Sequence, residues 1–150
     1  RGLLSGLNEE HPILKGVSAM WGPSDVYHMD EIRGDETALV FGQQQNGTTR
    51  ASAEPDLTLP VVPIAWTRTY TSPATGNSSR VFYTSWGLGE DFQDESVRRL
   101  VVNGVYWALG MEEEIPETSD VSFVDPFDPA PRGVGNHKTG LTPADFAIGN

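Results

Sequence analysis

Between residues 94 and 110 the chain reads DESVRRLVVNGVYWALG. Val97, Leu100, Val101, Val105, Ala108 and Leu109 recur at steps of three and four, the period of an amphipathic helix. Asp94 stands where an N-cap belongs, and Gly110 where a helix-ending glycine belongs. The pattern predicts a helix over 94–109 that lays its valines and leucines on a sheet and turns Arg98 and Arg99 to solvent. Four shorter runs read as strands of one sheet: 26–32 (VYHMDEI), 37–43 (TALVFGQ), 61–70 (VVPIAWTRTY) and 80–85 (RVFYTS). Pro63 places the start of the third at an edge or bulge. The stretch 71–79 (TSPATGNSS) is turn chemistry throughout, so the third and fourth runs form an antiparallel hairpin.

The rest is less periodic. Pro12 suits the first position of a short helical turn, with Gly16 closing it. Residues 44–60 carry Gly, Thr, Asn and Pro without a period and read as a long loop. After Met111 come Glu112, Glu113 and Glu114, then a stretch dense in Pro and Gly. This divides the chain into an α/β part over 1–111 and an extension over 112–150 that wraps a surface rather than building its own core. Four strands and one helix leave a sheet face uncovered, whereas an α/β sheet has helices on both faces. An N-terminal half or another protein chain is expected to complete it.

Charge and composition narrow the partners. The 150 residues carry a formal net charge of -11 and no cysteine. An acidic chain is repelled by phosphate backbones, so nucleic acid and anionic membranes are excluded as partners. Mean hydropathy is -0.35, and no apolar run reaches the length of a membrane span. Disulfides, thiolate metal sites and a cysteine nucleophile are absent. No cofactor and no metal is expected, since no two of the three histidines lie close in sequence. A cysteine-free chain suits several compartments, with a periplasmic or secreted one slightly favoured over the cytoplasm.

The connection from the last strand to the helix draws the candidate chemistry. Loops leaving the carboxyl ends of strands are where α/β proteins bind ligands. Ser85, Trp86, Gly87, Gly89, Glu90 and Asp91 lie there. The glycines would let the backbone turn sharply and approach a ligand. Glu90 and Asp91 would accept from hydroxyls, or else simply complement the helix N-terminus. Trp66 and Trp86 would offer stacking faces, or else fill the core. Arg68, two residues from Trp66, shares its strand face. It would clamp a ligand carboxylate or pair with Glu90 or Asp91. Trp66 reaches the rim of Trp86 only if the hairpin is offset. His11, ahead of Pro12, is a candidate acid/base or a structural hydrogen-bonding residue.

HPILKGV (11–17), GPSDVY (22–27), PIAWTRTY (63–70) and GNSSRVFYTSWGLGEDFQDESVRRLVVNGVYWALGM (76–111) together resemble the C-terminal half of ThuA-like (trehalose utilisation) domains. The tail PAPRGVGNHKTGLTPADF (129–146) is similar to that of planctomycete-type versions. The resemblance implies a flavodoxin-like sandwich of the class I glutamine amidotransferase kind, with its first strands ahead of Arg1. It raises His11, because the His-Pro pair is typical of the family. Two departures limit it. Many members have a His where this chain has Leu88. The amidotransferase Cys is absent, and the nearest approach to its H-x-E pair is His28-Met29-Asp30, in the wrong place. Glutamine hydrolysis is therefore not expected. Two readings stand: a domain acting on or binding carbohydrate, and a non-catalytic module that serves a larger assembly. An open cleft lined by Trp66, Arg68, Trp86 and Glu90 would favour the first, and their burial the second.

Overall fold

The computed structural model describes residues 2–4, 8–27, 34–47, 49–129 and 139–146. The 71–79 turn forms as its composition predicts: the amide of Ser72 donates to the Asn77 carbonyl, and Gly76 takes φ +73°. That φ is available to glycine at little cost. The turn joins β5 (Val62–Thr71) to β6 (Ser78–Thr84) in an antiparallel hairpin, with Trp66 opposite Tyr83 and Arg68 opposite Val81. On the other side of β5 lies β2 (Glu36–Gly42), and outside that β1 (Gly2–Leu4). The sheet order is β1-β2-β5-β6, and each described pair is antiparallel. Between β2 and β5 the register slips at Leu39 and slips back at Ile64. Each slip inserts one extra residue, and two opposed bulges keep the rest of the ladder aligned. With a helix against this sheet, the fold is mixed α/β.

Helix α1 (Glu95–Ala108) begins where predicted. The Asp94 carboxylate accepts from the amides of Ser96 at 2.9 Å and Val97 at 3.3 Å, satisfying two of the first-turn donors. Its buried face differs from the predicted stripe. Ser96, Val97, Arg99, Leu100, Asn103 and Gly104 point inward, while Val105 and Leu109 stay 53% and 69% exposed. Two causes rotate it. A Cβ on Gly104 would lie 2.4 Å from Phe82, so only a glycine lets the helix come this close to β6. The second cause is polar. Asn103, fully buried, donates to the carbonyls of Ile13 and Lys15 and accepts from the Ser119 hydroxyl. Arg99, expected in solvent, is buried with its guanidinium on the carbonyls of Gly16 and Ser119 and on the Glu95 carboxylate. A buried polar group must find partners, and these two find theirs on segments that flank the helix.

The core lies between the sheet and a layer made of α1 and the 11–20 segment. Ile13, Leu14 and Met20 meet Leu39, Val40 and Ala65 from the sheet and Val97 and Leu100 from the helix. The cross-strand pair Thr67–Phe82 faces α1. The neighbouring pair Trp66–Tyr83 stacks on the other face, its rings 4.8 Å apart.

Three other expectations change. Val26 and Tyr27, placed in a strand, are irregular, because the loop before them is held by Asp91; residues 28–32 of that run lie outside the described residues. The 44–60 loop contains a small hairpin, β3 (Gln45–Asn46) with β4 (Glu54–Pro55). Beyond Met111 the chain lies along α1: Ile115, Ser119 and Val121 are buried, and Arg98 donates to the Val121 carbonyl at 2.8 Å. No helix among the described residues is long and apolar enough to cross a membrane.

Candidate functional site

Where β6 ends, the Ser85 amide still donates to the Ile64 carbonyl at 2.9 Å, extending the ladder by one bond. Trp86 then turns its indole into the core and is 6% exposed. The chain bends through Gly87 and Leu88 into a short 3-10 turn, Gly89–Gln93. The carboxylate of Asp91, fully buried, organises the bend. Its Oδ2 accepts from the amides of Gly87 at 3.0 Å and Leu88 at 2.9 Å and from the Ser24 hydroxyl; its Oδ1 accepts from the Ser24 amide at 3.2 Å. Four donors on one carboxylate satisfy it in a place that water does not reach. Gly22 completes the fit, since a Cβ there would lie 2.3 Å from Asp91 Oδ1 and 3.2 Å from the Trp86 indole nitrogen. Three residues on, Asp94 accepts from the Trp21 amide and the Arg50 guanidinium as well as capping α1. Two aspartates thus fasten the 21–24 loop to the strand-to-helix connection.

The loops so fastened enclose an open cleft of about 210 Å³, lined by Ser24, Asp25, Tyr27, Ser85, Gly87 and Leu88. Ser24 and Asp25 are also one wall of a larger cleft of about 360 Å³, whose far wall is formed by Gln43, Gln44 and Gln45. Ser24, Ser85 and Tyr27 contribute hydroxyl-bearing side chains and Asp25 a carboxylate to the smaller cleft, the rest of its surface is largely apolar, and among the described residues no Lys or Arg lines it. Such a surface exchanges hydrogen bonds with neutral hydroxyl-bearing ligands and offers nothing to a phosphate. No group of three or more His, Cys, Asp or Glu among the described residues is arranged to hold a metal ion.

The predicted site residues separate. Ser85 and Gly87 line the cleft. Asp91 lies beneath it as a scaffold, with its oxygens taken by protein donors rather than offered to a ligand. Glu90 is half-buried and outside the lining. The stacking face expected of Trp86 is taken up by the core. Trp66 and Arg68 fall on the sheet face opposite α1, because Trp66 pairs with Tyr83 without the offset that would have carried it to the rim. Arg68 pairs with Asp35 at 2.9 Å and Glu36 at 3.7 Å, not with Glu90 or Asp91. Gly87 and Gly89 have no positive φ, so backbone freedom is not their reason. A Cβ on Gly87 would meet open space, whereas one on Gly89 would strike Pro129 of the extension at 2.8 Å. His11 caps the turn Pro12–Leu14, its Nδ1 accepting from the Ile13 amide at 3.3 Å and its ring 5.6 Å from that of Trp107. Burial lowers its pKa from 6.5. It stands apart from the cleft lining.

Ser24, Asp25, Tyr27 and Leu88 escaped the sequence reading as site residues. The available signal was the turn chemistry of Gly22-Pro23-Ser24-Asp25, which marks a loop without saying what it faces. Neither a curated protein nor a solved structure matches the chain. The family described as ThuA, trehalose utilisation, matches residues 4–108, well over half of the 150. The chain therefore belongs to the ThuA (trehalose utilisation) family.

Proposed function

We propose that this ThuA domain binds carbohydrate in the cleft between the 24–27 loop and the 85–88 connection, as part of trehalose or keto-sugar metabolism. The observation that carries the reading is the construction of that cleft. A fully buried carboxylate fixes two loops from behind, and the surface they present brings Ser24, Tyr27 and Ser85 together with the Asp25 carboxylate and the backbone of Gly87. Preorganised polar groups on a rigid support are what a hydroxyl-rich ligand needs. On the same reading, the antiparallel sheet is the C-terminal part of a flavodoxin-like, class I glutamine amidotransferase-like layer of planctomycete type. An N-terminal half or a second chain covers the face that carries Trp66 and Tyr83, and residues 112–150 form a separate extension.

A second reading, a non-catalytic module of a larger assembly, draws on one observation. Asp91 and Trp86, the residues richest in chemical potential on the connection, are both buried and serve the fold. Calorimetric titration of the intact chain with glucose and with trehalose separates the two. Gly87→Trp is the blocking variant, because Gly87 lines the cleft and a side chain there starts in open space without striking the fold. The carbohydrate reading expects binding by the wild type and none by Gly87→Trp, with equal thermal midpoints. Equal binding by both moves the sugar elsewhere, and no binding by either supports the module.

A further inference from the structure

The larger of the two clefts is bounded by Trp21, the 22–26 loop and the glutamine run Gln43-Gln44-Gln45. The sequence reading gave this run no role. At about 360 Å³ it falls within the range of small-molecule sites, which begins near ~300 Å³. Its walls differ in how their polar groups are partnered. Gln43 is 7% exposed and locked: its Nε2 donates to the Asp56 carbonyl at 2.9 Å, with the carbonyls of Gln44 and Leu59 at 3.4 and 3.5 Å. That bond ties the floor of the cleft to the β3–β4 arm. Gln45, in β3, is the exception. Its Oε1 is buried and receives no hydrogen bond. An unpaired buried acceptor is the costly case, and native proteins rarely tolerate it without a use.

We infer that this cleft is a second binding subsite, for an uncharged group rich in hydrogen-bond donors such as a polyol or a sugar ring, with Gln45 as its acceptor once its side chain turns to bring Oε1 to the cleft. The inference rests on the carbohydrate reading of the adjoining cleft and extends it. Ser24 and Asp25 line both clefts, so one ligand crosses that rim and presents a hydroxyl-bearing unit on each side. Among the described residues no Lys or Arg lines this cleft, and the Asp25 carboxylate at its rim opposes an anionic group. Trp21, half-buried in the wall, gives the ring an apolar face to lie against. Specificity for length then comes from the second cleft, and occupancy of the first is common to one-unit and two-unit ligands.

The test uses the intact chain, with glucose as the one-unit probe and trehalose as the two-unit probe. Gln45→Leu removes the acceptor at nearly constant volume. The expected result is a loss of trehalose affinity of about tenfold, the worth of one good hydrogen bond, with the thermal midpoint unchanged or raised because the orphan is gone. A purely structural glutamine would instead lower the midpoint and leave binding alone. Trehalose binding that is unchanged in Gln45→Leu but abolished in Gly87→Trp overturns the second subsite and leaves the carbohydrate reading standing. No binding of either sugar to the wild type overturns both.

Discussion

Replacing Asp91 with asparagine changes one atom and should destabilise the domain strongly. In the native fold Oδ2 receives three donors, the amides of Gly87 and Leu88 and the Ser24 hydroxyl, and Oδ1 receives the Ser24 amide. An amide has one acceptor. With its oxygen at the Oδ2 position, it keeps three hydrogen bonds but loses their charge assistance, about 1 kcal/mol each. Its NH₂ then faces the Ser24 N–H, donor against donor, at a fully buried position; that adds about 1–3 kcal/mol. Relaxation of the loops returns part of this, so a net loss of about 3 kcal/mol is expected. For a chain of this size that is a drop in thermal midpoint of about 6–12 °C. The assay is thermal unfolding followed by circular dichroism, with Glu90→Gln as the neighbour control. Glu90 is not part of the hub, so its variant should stay near the wild type. A midpoint for Asp91→Asn within about 2 °C of the wild type would refute the claim that this carboxylate holds the site together.

Three further outcomes follow from the packing of α1 and its neighbours. Gly104→Ala places a methyl 2.4 Å from the Phe82 ring and should cost about 1–2 kcal/mol in urea unfolding, since overpacking outweighs the gain in helix propensity; adding Phe82→Leu should recover most of it. Asn103→Leu strands the Ile13 and Lys15 carbonyls and the Ser119 hydroxyl and should cost about 2–4 kcal/mol by the same measurement. His11 has its pKa lowered from 6.5 by burial, and only its neutral form accepts from the Ile13 amide. The unfolded chain therefore takes up the proton first, and the contribution of His11 is complete above the unfolded value and is lost as pH falls through the folded one. The wild type should lose stability relative to His11→Gln as the pH falls below 6.5, and parallel pH profiles for the two would count against this role.

The hairpin β5–β6 and the start of α1 were legible in the sequence because turn residues, β-branched runs and an Asp N-cap act locally. The buried face of α1 was not. Hydrophobic periodicity counts Val105 and Leu109 and passes over Asn103, Gly104 and Arg99. A glycine buried for close approach and polar residues buried with long-range partners look like surface in a one-dimensional reading. The candidate site was half legible for the same reason. Ser85 and Gly87 lie on the connection that fold logic marks out, but their partners Ser24, Asp25 and Tyr27 are about sixty residues away in sequence and are brought to them by the long-range bonds of Asp91 and Asp94. That aspartate read as a helix-start or ligand-binding residue because nothing local shows that a distant serine will occupy its oxygens. Trp66 and Arg68 were drawn toward the site by proximity in sequence to a strand end, and the unshifted register of the hairpin sends them to the other face.

Backbone amide shift mapping of the intact, isotope-labelled chain during titration with trehalose tests the central claim most directly, since it reports where a sugar meets the protein without presuming an activity. The account predicts that the largest changes fall on Ser24, Asp25, Tyr27, Ser85, Gly87 and Leu88, which line one cleft, with little change at Trp66, Arg68 and Tyr83 on the far face of the sheet. Shifts confined to that far face, or no saturable shifts at all, would contradict it.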